Sequence, residues 1–215
     1  MTDTILFDLD GTLLDSLNDL WASVNYALAQ NNMPLRKKSE VRSFLGNGAK
    51  HLITNSLPNG CSSDIILSTY KCFKSHYILH SMDTTKPYDG IIELLDNIKR
   101  HNIKTGIISN KPDKAVQHLY KKYFRKYIDI AIGETEGIKR KPYPDMIIKA
   151  LHLLNSSPQD SIYIGDSEVD IATALNSELR CISVSWGYRD RKFLESHNAS
   201  IIIDKPSNLF NNFMI

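Results

Sequence analysis

Residues 5–16 read ILFDLDGTLLDS, and this stretch decides both the fold and the chemistry that we expect. Its apolar start predicts a short buried strand, and Asp8 and Asp10 follow directly. Side chains at positions i and i+2 of an extended chain point to the same side, so the two carboxylates share one face. Gly11 then permits a sharp turn, and Thr12 adds a hydroxyl. An Asp-Gly turn that merely ends a strand is the ordinary alternative.

The composition excludes several classes of protein. The chain has 215 residues and a formal net charge of +2, which gives no electrostatic reason to expect a nucleic-acid partner. Its three cysteines lack CxxC spacing, which argues against a disulfide framework or a zinc site and is typical of a reducing cytoplasm. No apolar run approaches the roughly 18 residues of a membrane span, and the N-terminus lacks the cationic region of a signal peptide. We therefore expect a cytoplasmic protein without nucleic-acid or membrane partners.

Short runs that are apolar at nearly every position alternate with helical patterns. The runs are ILF (5–7), TGIIS (105–109), IDIAI (128–132), SIYIG (161–165), CISVS (181–185) and SIIID (200–204). Continuous apolar runs suit strands that are buried on both faces, as in parallel sheets. Helical spacing between the later runs, for example in GIIELLDNIKRHN and PDMIIKALHLLN, predicts an α/β fold with right-handed crossovers. The core is therefore predicted to be a Rossmann-like parallel sheet.

Residues 15–82 contain no strand-like run. Apolar residues recur there at helical spacing, and they are Leu17, Leu20, Trp21, Val24 and Leu28, then Ile65, Ile66, Tyr70, Phe73 and Tyr77. We interpret this segment as an all-helical cap domain inserted into an α/β core of residues 1–14 and 83–215. Its two connections, near Leu14–Leu17 and Ser81–Gly90, would act as adjacent hinges, so that the insert could open and close as a lid.

Polar residues follow other predicted strands as well. They are Ser109, Asn110 and Lys111 after the run at 105–109, Asp166 and Asp170 after the run at 161–165, and Lys141 before a helical pattern. Ligands of an open parallel sheet lie beyond the carboxyl ends of strands, where the strand order reverses. If the first strand lies between those two runs, all these groups converge on Asp8 and Asp10. Each has an ordinary alternative as a cap, a turn or a surface lysine, but their joint occurrence favours a site.

The converging carboxylates predict a bound cation. Several carboxylates cannot all ionise in one place unless a cation joins them. Oxygen ligands without cysteine or histidine favour Mg²⁺, which typically also binds a substrate phosphate. Ser109 and Lys141 would then surround a phosphoryl group.

In these segments the chain resembles the haloacid dehalogenase superfamily of phosphohydrolases. The signature DxDGT is present as DLDGT, the hydroxyl of the second motif is Ser109 in SNK, and the fourth motif, GDxxxD, is GDSEVD. The lysine of the third motif is assigned to Lys141 rather than Lys139 or Arg140, because Lys141 directly precedes Pro142. Within the superfamily, DGTLLDS, FLGNGAKHLI, SNKP and WGY are most similar to the phosphoglycolate phosphatase group.

The resemblance implies roles for the acidic residues. Asp8 would attack phosphorus and form an aspartyl-phosphate, and Asp10 would protonate the leaving alkoxide and later deprotonate water. Asp8, the backbone carbonyl of Asp10, and Asp166 would hold Mg²⁺. Asp170 would bind a water on the metal or orient Lys141.

The resemblance also implies how the phosphate is held. Ser109 and Lys141 would bind the phosphoryl oxygens, together with backbone N–H groups near Leu9 and Asn110. The expected activity is Mg²⁺-dependent hydrolysis of a small phosphorylated metabolite, with phosphoglycolate, a nucleotide and pyrophosphate as candidates. Gly46, Asn47 and Lys50 of the cap either contact the leaving group or form an ordinary turn. The sequence leaves open whether the protein is a monomer or a homodimer.

Other activities remain as alternatives. A phosphosugar mutase of the same superfamily typically carries a histidine in the early cap helix, and SLNDLWAS has none. A dehalogenase lacks the second aspartate of the first motif, so Asp10 argues against it. A receiver-like signalling module places its acceptor aspartate after the third strand, where IGETEG has none.

Overall fold

The computed structural model describes residues 2–213, and the chain divides into two compact units. One unit comprises the described residues up to Leu14 and from Pro87 onward, and the other comprises Asp15–Lys86. Within the described part of the chain, no helix combines the length and the apolar character that crossing a membrane requires.

The elements follow one another along the chain as short strands and amphipathic helices. The strands are β1 (Thr4–Phe7), β2 (Leu14–Asp15), β3 (Lys86–Pro87), β4 (Lys104–Pro112), β5 (Ile130–Glu134), β6 (Ser161–Gly165), β7 (Arg180–Val184) and β8 (Ile202–Ile203). The helices are α1 (Leu17–Gln30), α2 (Lys38–Phe44), α3 (Gly48–Ser56), α4 (Ser63–His80), α5 (Ile91–Arg100), α6 (Asp113–Leu119), α7 (Asp145–Leu154), α8 (Glu168–Asn176), α9 (Arg191–Ser196) and α10 (Pro206–Phe213).

A six-stranded parallel sheet forms the core of the first unit, in the order β5-β4-β1-β6-β7-β8. The predicted α/β fold is therefore confirmed. Strand β1 lies between β4 and β6, with Thr4 opposite both Lys104 and Ser161. The strand order reverses on the two sides of β1, so the end of β1 is the place where a ligand site is expected.

The central strands are buried along their whole length. Every residue of β1 and of β6 is buried, as continuous apolar runs predict for strands covered on both faces. Helix α7 supplies part of the cover, because Met146, Ile147 and Leu151 belong to one buried cluster with Leu6 and Tyr163 of the sheet. Burying a side chain of this size contributes about 1.5–3 kcal/mol, so the cluster fixes the strands that carry the polar residues.

The second unit consists of the helices α1 to α4. Leu20, Val24 and Leu28 of α1 are buried at the predicted helical spacing, as are Phe73 and Tyr77 of α4. Apolar side chains three and four positions apart lie on one face of a helix, and this face packs inside the unit.

Asp19 in the first turn of α1 anchors the end of the helical unit. Its carboxylate accepts hydrogen bonds from the backbone N–H and the hydroxyl of Thr84, at 3.0 and 2.6 Å for the oxygen Oδ1. Its other oxygen accepts from the N–H and hydroxyl of Thr85, at 2.9 and 2.7 Å. Burial alone would raise the pKa of Asp19, but these four donors outweigh it and hold that pKa below its ordinary value.

Candidate active site

Asp8 directly follows β1 at the centre of the sheet. Its backbone N–H donates to the carbonyl of Ile164 at 2.8 Å, which continues the ladder between β1 and β6 by one residue. The carboxylate is buried, and burial raises the pKa of Asp8 to about 7. Lys141 opposes this shift, whereas the charges of Asp170 and Asp10 add to it. The end of β1 therefore presents a carboxylate whose charge is costly unless a cation is near.

Lys141 is the buried cation of the site. Its ammonium donates to Oδ1 of Asp8 at 2.6 Å, to Oδ1 of Asp170 at 2.8 Å and to the hydroxyl of Tyr163 at 2.9 Å. An ammonium has three N–H groups, so these acceptors use its whole donor capacity. Burial would lower the pKa of Lys141, but the charges of Asp170 and Asp8 outweigh it and raise that pKa. The lysine therefore stays charged in a buried position.

Asp170 is held by hydrogen bonds on both carboxylate oxygens. Its Oδ1 accepts from Lys141 and from the hydroxyl of Tyr163 at 3.0 Å. Its Oδ2 accepts from the backbone N–H and the hydroxyl of Ser167, at 3.1 and 2.6 Å, as the capping box of α8. A Cβ on Gly165 would collide with this carboxylate, so a glycine is needed there. Asp170 is thus fixed against the end of β6, where it orients Lys141.

Asp166 follows β6 and lies beside the turn of the first motif. It accepts a hydrogen bond from the backbone N–H of Tyr188 at 2.6 Å and from the hydroxyl of Thr12 at 3.2 Å. Gly11 has φ +93°, and a Cβ on it would meet the carboxylate of Asp166. Burial, followed by the charges of Asp170 and Asp8, raises the pKa of Asp166 well above its ordinary value. This close approach of backbone and carboxylate explains the glycine after Asp10.

Asp8, Asp166 and Asp170 form a buried acidic group. One carboxylate oxygen from each lies within 4.8 Å of the others. Burial first, and then the charges of the neighbouring aspartates, raise the pKa values of Asp8 and Asp166, so ionising these groups together is costly. A cation would remove that cost, and a donor set of oxygens alone suits a hard divalent ion. The residues therefore fit a metal site, with Asp8 directly after β1 and Asp166 directly after the neighbouring strand β6.

The end of β4 carries Ser109 and Asn110 into the same region. Both are buried, and the hydroxyl of Ser109 accepts from the N–H of Lys111 at 3.2 Å. The side-chain amide of Asn110 accepts from the N–H of Lys141 at 2.8 Å and donates to its carbonyl at 3.0 Å. Asn110 thus binds the backbone of the lysine whose ammonium meets Asp8. The bond between Lys141 and Pro142 is cis.

Asp10 is paired with a residue to which sequence reasoning gave no role. The ammonium of Lys111 donates to both carboxylate oxygens of Asp10, at 2.8 and 2.7 Å, and the lysine side chain is 4% exposed. In the sequence, the feature that could have indicated this contact is a charged residue at the end of an apolar strand, two positions after Ser109.

Tyr163 was also missed, because it lies inside the apolar run of β6. Its hydroxyl joins Lys141 to Asp170 at the distances given above. A tyrosine that is fully buried in a strand requires a partner for its hydroxyl, and that requirement was the available signal.

The segment after β7 forms hydrogen bonds with both the DLDGT and the GDSEVD motifs. Trp186 donates from its indole N–H to the carbonyl of Thr12 at 3.0 Å. Arg189 is buried and binds Glu168 through two hydrogen bonds, at 2.9 and 3.0 Å, and its charge lowers the pKa of Asp166 somewhat against the dominant effect of burial. The predicted site residues Asp8, Asp166, Asp170 and Lys141 are thus brought together, and Asp10 is held beside them by Lys111.

The chain is similar to known proteins over most of its length. The family model "Haloacid dehalogenase-like hydrolase" matches residues 5–184. Phosphoglycolate phosphatase 1 of Pseudomonas aeruginosa is 29% identical over 95% of this chain and 77% of its own length. The pyrophosphatase PpaX of Bacillus mycoides is 26% identical over 96% of this chain and 94% of its own length.

A solved structure is similar over almost the whole chain. It is a protein of Lactobacillus delbrueckii subsp. bulgaricus described as a candidate phosphoglycolate phosphatase, with a TM-score of 0.93, 33% identity and 97% coverage of both chains. The family match covers most of the chain, including every motif residue up to Asp170. The protein therefore belongs to the haloacid dehalogenase-like hydrolases, and it is an enzyme of the phosphatase class.

Proposed function

We propose that the enzyme is a Mg²⁺-dependent phosphatase that hydrolyses a small phosphate monoester through an aspartyl-phosphate on Asp8. The observation that supports this most strongly is the contact between Asp8 and Lys141, at 2.6 Å, beside a buried acidic group. A carboxylate at the centre of the sheet thus has a cation at one oxygen and potential metal ligands around it. This is the environment that a carboxylate nucleophile needs to approach an anionic phosphate.

The first half of the proposed reaction forms the covalent intermediate. A carboxylate oxygen of Asp8 forms a bond to phosphorus as the bond between phosphorus and the ester oxygen breaks. Asp10, in its protonated form, gives its proton to the leaving oxygen, so that a neutral alcohol departs. The negative charge of Asp8 passes to the leaving oxygen and, once Asp10 has given up its proton, rests on Asp10. Lys141, released from the carboxylate of Asp8, donates to a phosphoryl oxygen together with Ser109.

The second half of the reaction regenerates the enzyme. Water attacks phosphorus, Asp10 takes a proton from that water, and the bond between phosphorus and the oxygen of Asp8 breaks. The products are inorganic phosphate and the free carboxylate of Asp8. Asp10 thus acts as acid and then as base, which a carboxyl group can do when the two steps have opposite proton demand.

The proposed metal ligands are Asp8, Asp166 and the backbone carbonyl of Asp10. When bound, Mg²⁺ supplies positive charge that offsets the negative charges of the carboxylates and the phosphate. Asp170 already accepts four hydrogen bonds on its two oxygens, so we assign it to orienting Lys141 rather than to the metal. Tyr163 and Asn110 support the same lysine through its ammonium and its backbone.

Phosphoglycolate is the first candidate substrate. The relative from Pseudomonas aeruginosa is named for its action on this compound. Pyrophosphate is the second candidate, because the relative from Bacillus mycoides is named a pyrophosphatase. Both are small and anionic, which suits a site lined by Lys111 and Lys141.

A phosphate-release screen across small phosphate esters and pyrophosphate tests the proposal. The purified enzyme should release phosphate from at least one of them with Mg²⁺ and lose this activity in excess chelator. Asp8→Asn and Asp8→Ala should both lose essentially all turnover, whereas Asp89→Asn, at an exposed position of the same unit, should retain it. Sustained turnover by Asp8→Ala would refute the nucleophile, and transfer of the phosphoryl group to a second hydroxyl of a sugar would favour a mutase instead.

A further inference from the structure

We infer that Lys111 makes the enzyme select phosphate compounds whose leaving group carries its own negative charge close to the bridging oxygen. This inference rests on the proposed function, because it uses the position of Asp10 beside the leaving group. It assigns Lys111 to substrate recognition, a role separate from that of Lys141.

Contacts of both its side chain and its backbone position Lys111. Its ammonium lies 2.8 and 2.7 Å from the two carboxylate oxygens of Asp10. Its backbone N–H donates to the hydroxyl of Ser109 at 3.2 Å. The end of β4 therefore supplies two groups. The hydroxyl of Ser109 is assigned to the phosphoryl group, and the ammonium of Lys111 contacts Asp10, which is assigned to the leaving oxygen.

The two buried lysines have different surroundings. Lys141 meets Asp8, the proposed nucleophile, together with Asp170 and Tyr163. Lys111 meets both oxygens of Asp10, the proposed proton donor to the leaving group. One N–H of an ammonium is enough to keep contact with a carboxylate, and Lys111 can turn another toward an incoming anion. We therefore place the second lysine at the part of the substrate that departs, on the ground of its contact with Asp10.

The chemistry of the candidate substrates matches this position. In 2-phosphoglycolate the carboxylate is attached to the carbon that carries the ester oxygen, and in pyrophosphate the leaving group is itself an anion. Because Lys111 contacts the carboxylate of Asp10, we expect it to reach an oxygen of that charged group when the bridging oxygen lies at Asp10. A charge-assisted hydrogen bond from a buried ammonium is strong, because water does not compete with it.

A matched pair of esters tests the inference. 2-Hydroxyethyl phosphate has the carbon skeleton of 2-phosphoglycolate with a neutral hydroxymethyl group in place of the carboxylate. The wild-type enzyme should show a kcat/KM for 2-phosphoglycolate about 10- to 100-fold higher than for 2-hydroxyethyl phosphate. Lys111→Met should bring this ratio close to one by lowering kcat/KM for the anionic ester selectively. Measuring pyrophosphate as a third substrate distinguishes a preference for a carboxylate from a preference for a phosphate in the leaving group.

The controls separate this inference from the proposed function. Lys114→Met, at an exposed position of α6, should leave the ratio unchanged, and Lys111→Arg should preserve part of it. If Lys111→Met lowers kcat/KM equally for both esters, Lys111 only positions Asp10 and the inference is overturned. It is also overturned if the wild-type enzyme shows a kcat/KM ratio near one between every compound with an anionic leaving group and the neutral ester. If Lys111→Met does not fold, Lys111→Gln and Lys111→Arg supply the same comparison. Absence of activity on all phosphate compounds would instead refute the proposed function.

Discussion

Two buried carboxylates, Asp8 in the α/β unit and Asp19 in the helical unit, lie in opposite electrostatic situations. Asp19 accepts hydrogen bonds from Thr84 and Thr85, and its pKa is held below the ordinary value. Asp8 has Lys141 at one oxygen but lies among other acidic side chains, and burial raises its pKa to about 7. Both side chains are shielded from water, so burial alone does not distinguish them.

The difference lies in the kind of partner. Neutral N–H and hydroxyl donors satisfy the ionised carboxylate of Asp19 and add no further charge, so the arrangement is complete within the protein. The carboxylates around Asp8 outnumber the cation that contacts them, so their full ionisation requires a ligand from outside the chain. A carboxylate whose pKa is raised by burial and by further acidic neighbours therefore indicates a site, and one saturated by neutral donors indicates structure.

Removing the cation of the site should have the largest effect. Lys141→Met leaves Asp8 and Asp170 buried without their positive partner, which should cost about 3–5 kcal/mol in the free energy of unfolding at neutral pH. Turnover should fall by about 10³-fold or more, since the ammonium that faces the phosphoryl group is lost. Urea denaturation and phosphate release measure the two effects. An exposed control, Lys149→Met in α7, should change neither, and near-wild-type turnover in Lys141→Met would contradict the assigned role.

Metal-free protein should respond to pH in the direction set by Asp8. Its pKa is about 7 when folded and 3.8 ordinarily, so between these values the folded state binds more protons than the unfolded state. Stability therefore falls as pH rises from 4 to 7, and we expect Tm in chelator to follow this trend. Mg²⁺ should raise Tm more at pH 8 than at pH 5, because protons compete with the metal for the carboxylates.

The control for this experiment is Asp8→Asn. It should flatten the dependence of Tm on pH in chelator and weaken the stabilisation by Mg²⁺. An equal shift of Tm by Mg²⁺ at both pH values, unchanged in Asp8→Asn, would show that the metal binds elsewhere.

Asp19 should show the opposite dependence on pH. Its pKa in the folded state is lower than in the unfolded state, so its stabilisation is present above the ordinary value of 3.8 and is lost as pH falls through the folded-state pKa. Asp19→Ala should cost about 1–3 kcal/mol near pH 7, since it removes the acceptor of the Thr84 donors and of the buried Thr85 donors. Denaturation at pH 7 and at pH 3 should show the difference from wild type shrinking in acid. If the free energies of unfolding of wild type and Asp19→Ala differ by the same amount at both pH values, the donors of Thr84 and Thr85 do not act by stabilising the charged form of Asp19.

The smallest expected effect is that of Tyr163→Phe. Only the hydroxyl between Lys141 and Asp170 is removed, and both charged groups keep each other as partners. We expect kcat to fall by about 3- to 10-fold, which corresponds to one hydrogen bond, and KM to change little. Steady-state kinetics measures this, and the conservative change Tyr120→Phe, in the π-helical turn Tyr120–Phe124 that follows α6, serves as a control.

The parallel sheet and the convergence of several polar residues at the end of β1 could be predicted from the sequence. Runs that are apolar at every position identified the strands, and the rule for ligand sites in parallel sheets brought Asp8, Asp166 and Lys141 together. The structure confirms the α/β fold, with β1 between β4 and β6. The assigned roles of the site residues remain predictions that the proposed experiments test.

The contacts that sequence reasoning missed depend on side-chain direction over long separations. Lys111 meets Asp10 across 101 positions of the chain, and Tyr163 meets Lys141 across 22. Periodicity assigns a residue to a face but does not say which polar atom it will meet there. Asn110 illustrates the same limit, because its side chain binds the backbone of Lys141 and the sequence pattern placed it only near the phosphate.

The covalent role of Asp8 is tested most directly by trapping the intermediate in Asp10→Asn. An activated aryl phosphate needs no proton on its leaving group, so this variant should still form the phosphoenzyme. It lacks the base that activates water, so hydrolysis of the phosphoenzyme should be slow. With Mg²⁺ present, we predict a rapid release of one phenol per enzyme molecule. Mass spectrometry after acid quenching should then find one phosphoryl group on Asp8. A burst of free phosphate without enzyme-bound phosphate, or a phosphoryl group on another residue, would contradict the account.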